Sequence, residues 1–191
     1  MKEKAKAIQK PLSLALLEVK NSRLFWVVSF SILTFFSAQV LVPVQPVPFT
    51  LQTMLVLLSG AFLGARNGAY SQLLYVAGGF IGLPVFAGFT FGPAVIFGPT
   101  GGYILAFPIA AYLVGAIIEK NKSVFAVAGA MILGTAVILF AGALYLTLFV
   151  NYNFSEAFFA GVAIFSIWGL IKIAAASSVY LSLRNKYPKL P

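Results

Sequence analysis

The chain has 191 residues, 61% hydrophobic and 9% charged, with 13 Lys or Arg against 4 acidic residues and neither His nor Cys. A soluble domain cannot hide that much apolar surface. At roughly 20 residues per crossing, the length accommodates about six membrane helices and no separate soluble catalytic domain.

Lacking His and Cys, the chain has no imidazole base, thiolate nucleophile or His- or Cys-based zinc site. The acidic residues are all glutamates: Glu3, Glu18, Glu119 and Glu156. The net charge of +9 does not read as a nucleic-acid-binding field, because the cations fall in small clusters between apolar runs.

Residues 1–23 carry Lys2, Lys4, Lys6, Lys10, Lys20 and Arg23 around an apolar patch at 12–17. Basic residues follow that patch and no small-residue cleavage site ends it, so it reads as a cytoplasmic surface helix and not a signal peptide. Residues 24–191 are expected to form an all-α, compact bundle of about six transmembrane helices. The spans are expected at 24–42, 51–65, 69–83, 103–118, 124–150 and 157–183, the second and third being short for a full crossing. Gly60-x-x-x-Gly64, Gly78-x-x-x-Gly82, Ala111-x-x-x-Gly115 and Ala130-x-x-x-Gly134 place small residues one turn apart, letting helix backbones approach closely.

Placing both termini in the cytoplasm puts the clusters of 1–23, Arg66, Lys120 with Lys122, and Arg184 with Lys186 and Lys189 on the inner side. The outer segments, 43–50, 84–102 and 151–156, then contain no Lys or Arg. Lys172, inside the last span, is the exception. An ammonium at membrane depth costs on the order of 3 kcal/mol and calls for a partner, a cavity or a ligand. The competing reading is a lysine that snorkels along its stem to the cytoplasmic surface. If Lys172 faces a cavity, no glutamate lies deep in a span to neutralise it, and an anionic or strongly polar ligand is the natural counterpart.

Two outer segments are dense in polar, aromatic and helix-breaking residues. In 39–53, Pro43, Pro46 and Pro48 favour an extended path, with Thr50 placed to cap the second span. In 82–103, Gly and Pro interrupt an apolar run too often for a span, and such backbone is tolerated near a membrane where it packs on protein or lines a cavity. A lid over a ligand site and an interfacial aromatic belt both fit this composition. With no Asp or His at membrane depth for ion coupling, and no Gly-Lys-Ser/Thr ending to the glycine-rich 98–102 run, uphill movement would need a partner's energy.

Pro46-Val47-Pro48-Phe49-Thr50-Leu51-Gln52-Thr53, then Gly78-x-x-x-Gly82-Leu83-Pro84-Val85-Phe86-Ala87-Gly88, then Gly98-Pro99-Thr100-Gly101-Gly102-Tyr103-x-x-x-Phe107, together resemble the signature of the BioY family. Members of that family are biotin-binding substrate components of energy-coupling factor transporters. The resemblance implies a six-helix bundle in a prokaryotic plasma membrane that captures biotin on its outer side. It also implies work with a transmembrane coupling subunit and two ATPase subunits, without a cofactor or metal of its own.

On that resemblance, Lys172, Gln39 and Gln52 are expected to meet the polar ends of biotin, and Phe86, Phe97 and Tyr103 to pack its apolar body. Lys172 matches the lysine of the family's last-helix Asp-x-x-Lys pattern, and Gly169 stands where the aspartate would be. The first span offers only Thr34-x-x-x-Ala38 at the small-residue spacing with which such components meet their coupling subunit. Two other readings stand beside this one: the same scaffold binding another small anionic vitamin or precursor, and a membrane enzyme or structural assembly protein. The absence of His, Asp and Cys argues against the enzyme.

Overall fold

A computed structural model describes residues 22–150, 153–163, 166–187 and 189–190. The expected surface helix within 1–23 therefore lies, except for its last two residues, outside the described residues. Helix α1 (Arg23–Gln39) leads into a hairpin of two short antiparallel strands, β1 (Leu41–Val42) and β2 (Phe49–Thr50), with Leu41 opposite Thr50 and Val42 opposite Phe49. There follow α2 (Gln52–Phe80), the single turn α3 (Pro93–Ile96), α4 (Gly101–Lys120), α5 (Val124–Leu146), the short α6 (Phe154–Phe158) and α7 (Ser166–Leu183).

Although continuous in hydrogen bonding, α2 is two helices folded back on each other. At Gly64 the backbone takes φ +79° and ψ −179°, a region open only to glycine, and the chain reverses without a loop. The arms then run antiparallel: Gly68 abuts Gly60, the Gln72 amide reaches Ser59, and Gln52 reaches Tyr75. These arms are the second and third expected spans.

The last expected span is interrupted. A wide π-type turn, Phe159–Ala163, separates α6 from α7. Among the described residues two helices, Gly101–Lys120 and Val124–Phe149, are long and apolar enough to cross a membrane, and the apolar runs Arg23–Gln39 and Trp168–Leu183 are shorter.

The core has one cluster at each end, the first around Val56, Tyr75, Phe86, Tyr103, Phe107 and Ile138, the second around Leu57, Phe62, Val114, Ile118, Met131 and Tyr180. Outward-facing residues are also apolar: Phe125 is 90% exposed and Phe36, Phe140 and Leu170 are each 60% or more, which suits a hydrocarbon solvent and not water. Three of the small-residue pairs sit at helix contacts, because a Cβ on Gly60 would overlap Ala111, one on Gly115 would overlap Ala65, and one on Gly134 would press on Leu57 and Val114. The Gly78–Gly82 pair does not, since Gly82 has open space around it.

Thr34 and Ala38 are both fully buried. The Gln72 amide nitrogen donates to the Thr34 hydroxyl (3.1 Å) and the Ser59 hydroxyl (3.1 Å), which ties α1 to both arms of α2. Thr34 and Ala38, expected as a docking face, are therefore not offered at the surface of the chain: both are buried, Thr34 against Gln72 of the α2 hairpin. Bonding within the bundle satisfies polar groups that hydrocarbon cannot.

Candidate functional site

A cavity of about 310 Å³ lies between the β-hairpin, the 86–100 segment, α4, α5 and α7. Each wall follows from local sequence. The Thr50 hydroxyl accepts from the Gln52 N–H (3.3 Å), serving the start of α2 although the cap position itself falls on Leu51. It also donates to the Gln52 side-chain oxygen (2.9 Å). The Gln52 amide nitrogen donates to Tyr75 (2.6 Å), whose hydroxyl donates to the Val85 carbonyl (3.0 Å). This chain of bonds holds the β-hairpin, both arms of α2 and the 82–92 segment together beneath the cavity.

The aromatic walls are seated by glycines. A Cβ on Gly79 would overlap the Phe86 ring, and one on Gly142 would overlap the Tyr103 ring. The Tyr103 hydroxyl donates to the Gly161 carbonyl in the wide turn (3.1 Å), so that its ring faces the cavity while its polar end is satisfied elsewhere. Val47, Ile104, Phe107 and Leu139 complete an apolar enclosure.

Lys172 enters from α7. Its ammonium donates to the Thr50 carbonyl (3.2 Å) and stands 4.4 Å from the centre of the Phe49 ring. It is half-buried, lines the cavity, and forms no ion pair among the described residues. Of the two readings of this lysine, snorkelling to the far surface does not describe the structure. One turn earlier, Gly169 also lines the cavity, and a Cβ there would meet nothing within 4 Å.

Of the residues expected at a site, Lys172, Gln52, Phe86 and Tyr103 come together here, as do Pro48, Phe49, Thr50, Gly98, Pro99 and Thr100 of the loop motifs. Gln39 does not: its amide donates to the Phe86 carbonyl (3.0 Å) and accepts from the Phe89 N–H (3.1 Å), pinning the loop from outside the cavity. Phe97 points away and is 65% exposed. Phe107 occupies the wall instead, and its spacing of four from Tyr103 on α4 is the helical signal that identifies it. Gly82 and Pro84 shape the loop, and Gly101 and Gly102 start α4, without lining the cavity.

Sequence reasoning also missed Thr53. Its hydroxyl is buried with no hydrogen-bond partner, and the residue lines the cavity. A buried unpaired hydroxyl costs about 1–3 kcal/mol, which a ligand atom can recover once the side chain turns its oxygen into the cavity. Thr53→Val is therefore expected to leave the melting temperature of the ligand-free protein unchanged or slightly raised while weakening ligand binding about tenfold. Calorimetry with and without ligand reads both signs, and unchanged affinity would remove Thr53 from the site.

Fold and site together define a helical membrane component built to enclose a small, largely apolar ligand with a few polar points. It has no cluster of metal-binding side chains among the described residues. The family model described as "BioY family" matches residues 7–189. The probable biotin transporter BioY of Pyrococcus horikoshii is 40% identical over 158 residues, covering 83% of this chain and 93% of the relative. The biotin transporter BioY of Thermotoga maritima is 36% identical over 156 residues, covering 82% and 92%. A crystal structure of the S-component for biotin from an ECF-type ABC transporter superposes with a TM-score of 0.80 at 26% identity, covering 85% of this chain and 90% of that one. The chain belongs to the BioY family.

Proposed function

We propose that this protein takes up biotin as the substrate-binding component of an energy-coupling factor transporter. It captures the vitamin from the outer side of the cell membrane, with both termini in the cytoplasm, and relies on a transmembrane coupling subunit and two ATPase subunits for energy. The observation that carries the reading is Lys172: a half-buried ammonium without a carboxylate partner among the described residues, in an otherwise apolar cavity of about 310 Å³. Biotin offers a carboxylate and a ureido group at opposite ends of an apolar body, and the Lys172 ammonium and the Thr53 side chain are the polar groups that meet it, with Gln52 in the wall held by Thr50 and Tyr75. Phe86, Tyr103 and Phe107 pack between. The relatives are biotin transporters and not enzymes, in keeping with a protein that binds while its partners drive.

Equilibrium binding of biotin to the detergent-purified protein is the deciding experiment. Binding at micromolar biotin is expected, and its absence at that concentration refutes the biotin reading. Biotin methyl ester, dethiobiotin and lipoate as competitors show which end of the ligand Lys172 meets. Gly169 supports a second reading, because the open space beside it can admit a bulkier anionic vitamin or precursor. A competitor that outranks biotin would favour that reading. Co-purification with ATPase subunits tests the partnership, and full uptake in cells lacking them would end it.

A further inference from the structure

At the end of the bundle remote from the cavity lies a second concavity, a cleft of about 770 Å³. Tyr103 and Lys120 sit near opposite ends of α4, whose 20 residues span about 30 Å. Arg23 from α1, Arg66 from just after the Gly64 reversal, Lys120 from the end of α4 and Lys189 from the C-terminal segment line this cleft, against Glu119 as its one acidic residue. Lys189 pairs with Glu119 at 2.5 Å, and the Leu190 N–H donates to the Phe62 carbonyl (2.8 Å), which fastens the C-terminal segment along one wall. Arg23, Arg66 and Lys120 remain without an ion pair among the described residues.

We propose that this cleft binds the phosphodiester headgroup of an anionic phospholipid. Two features point to a lipid. The cations come from separate elements and converge on one concavity, where guanidinium and ammonium groups alike can neutralise a phosphate. Tyr112, itself in the cleft wall, continues along α4 into an exposed apolar stripe with Ile109 and Leu105, each 47–57% exposed and spaced three and four residues apart. An acyl chain can follow that stripe while its headgroup sits among the cations. A free phosphate would use the cations and leave the stripe unused. The inference rests on the family's membrane residence and not on the biotin reading.

Native mass spectrometry of the intact protein in neutral detergent tests it, with dioleoyl phosphatidylglycerol, dioleoyl phosphatidylcholine and inorganic phosphate as probes. One phosphatidylglycerol is expected to be retained at concentrations where phosphatidylcholine and phosphate are lost. Arg66→Glu with Lys120→Glu is expected to weaken that retention about tenfold or more, while Arg66→Lys with Lys120→Arg keeps it within about threefold. Circular dichroism and monodispersity report folding, and biotin binding by the same variants keeps this outcome separate from that of the cavity. Equal retention of the two lipids, phosphate binding as tightly as lipid, or full retention in the reversed variant would overturn the proposal. If the reversed variant fails to fold, the comparison of lipids on the parent protein decides alone.

Discussion

Replacing Lys172 with Ala is expected to weaken biotin binding by about 100-fold while leaving the protein at least as stable as before. The two signs have one cause. In the ligand-free state the ammonium sits in the cavity wall with a carbonyl and an aromatic face as its partners and no ion pair among the described residues. Burying a charge there costs free energy, so removing it relieves up to about 3 kcal/mol. Once a polar or anionic ligand group occupies the cavity the same charge becomes its partner, and losing a buried charged contact costs about 2–5 kcal/mol of binding. Lys172→Met keeps most of the stem's volume and separates charge from packing. Equal affinity in both variants would remove Lys172 from the ligand site. Parallel loss of binding and melting temperature would make its role structural.

Gly64→Val is expected to cost on the order of 3 kcal/mol of stability and to abolish the monodisperse protein at elevated temperature. At φ +79° and ψ −179° any Cβ is strained, and here it would also overlap the Glu119 carboxylate beside the Lys189 stem. The position is critical because no loop exists to absorb the change. Straightening the reversal would pull Gly68 from Gly60, Gln72 from Ser59 and Tyr75 from Gln52, and the last of these holds the cavity floor. Gly129→Ala is the control: it lies in a helix with open space where its Cβ would go, so it should be neutral or slightly stabilising. A Gly64→Val protein that melts with the parent would show that the reversal tolerates a side chain.

Much of the site was legible because the sequence departs from its own hydropathy there. Lys172 stands out as the lone cation in an apolar span, and the Gly- and Pro-broken outer segments cannot be spans. Side-chain direction in those segments was not legible. Gln39 and Phe97 have suitable chemistry, yet Gln39 spends both ends of its amide on the loop backbone and Phe97 turns outward. In irregular backbone no period links neighbouring residues to a common face. On α4 the period exists, and Tyr103 with Phe107 could have been read from it. Thr53 gives no local signal at all, because an orphaned hydroxyl is defined by what surrounds it in space.

Thr34 and Ala38 show the same division. Their spacing identifies a helix contact, since small residues one turn apart admit a close neighbour. Which neighbour is a tertiary matter, and for Thr34 it is the α2 hairpin within the same chain.

By itself the sequence determined the solvent, the all-α class and the grouping of the cations, because these depend on transfer free energies that add along the chain. Arg23, Arg66, Lys120 and Lys189, scattered over the sequence, do gather in one cleft. Only the tertiary structure decided that spans two and three are arms of a loopless hairpin and that the last is broken by a wide turn. It also decided which polar groups face the cavity and which are consumed holding it together. Those outcomes rest on the positive φ of Gly64, on glycines that make room for rings and on hydrogen bonds between distant residues, none of which composition or periodicity encodes.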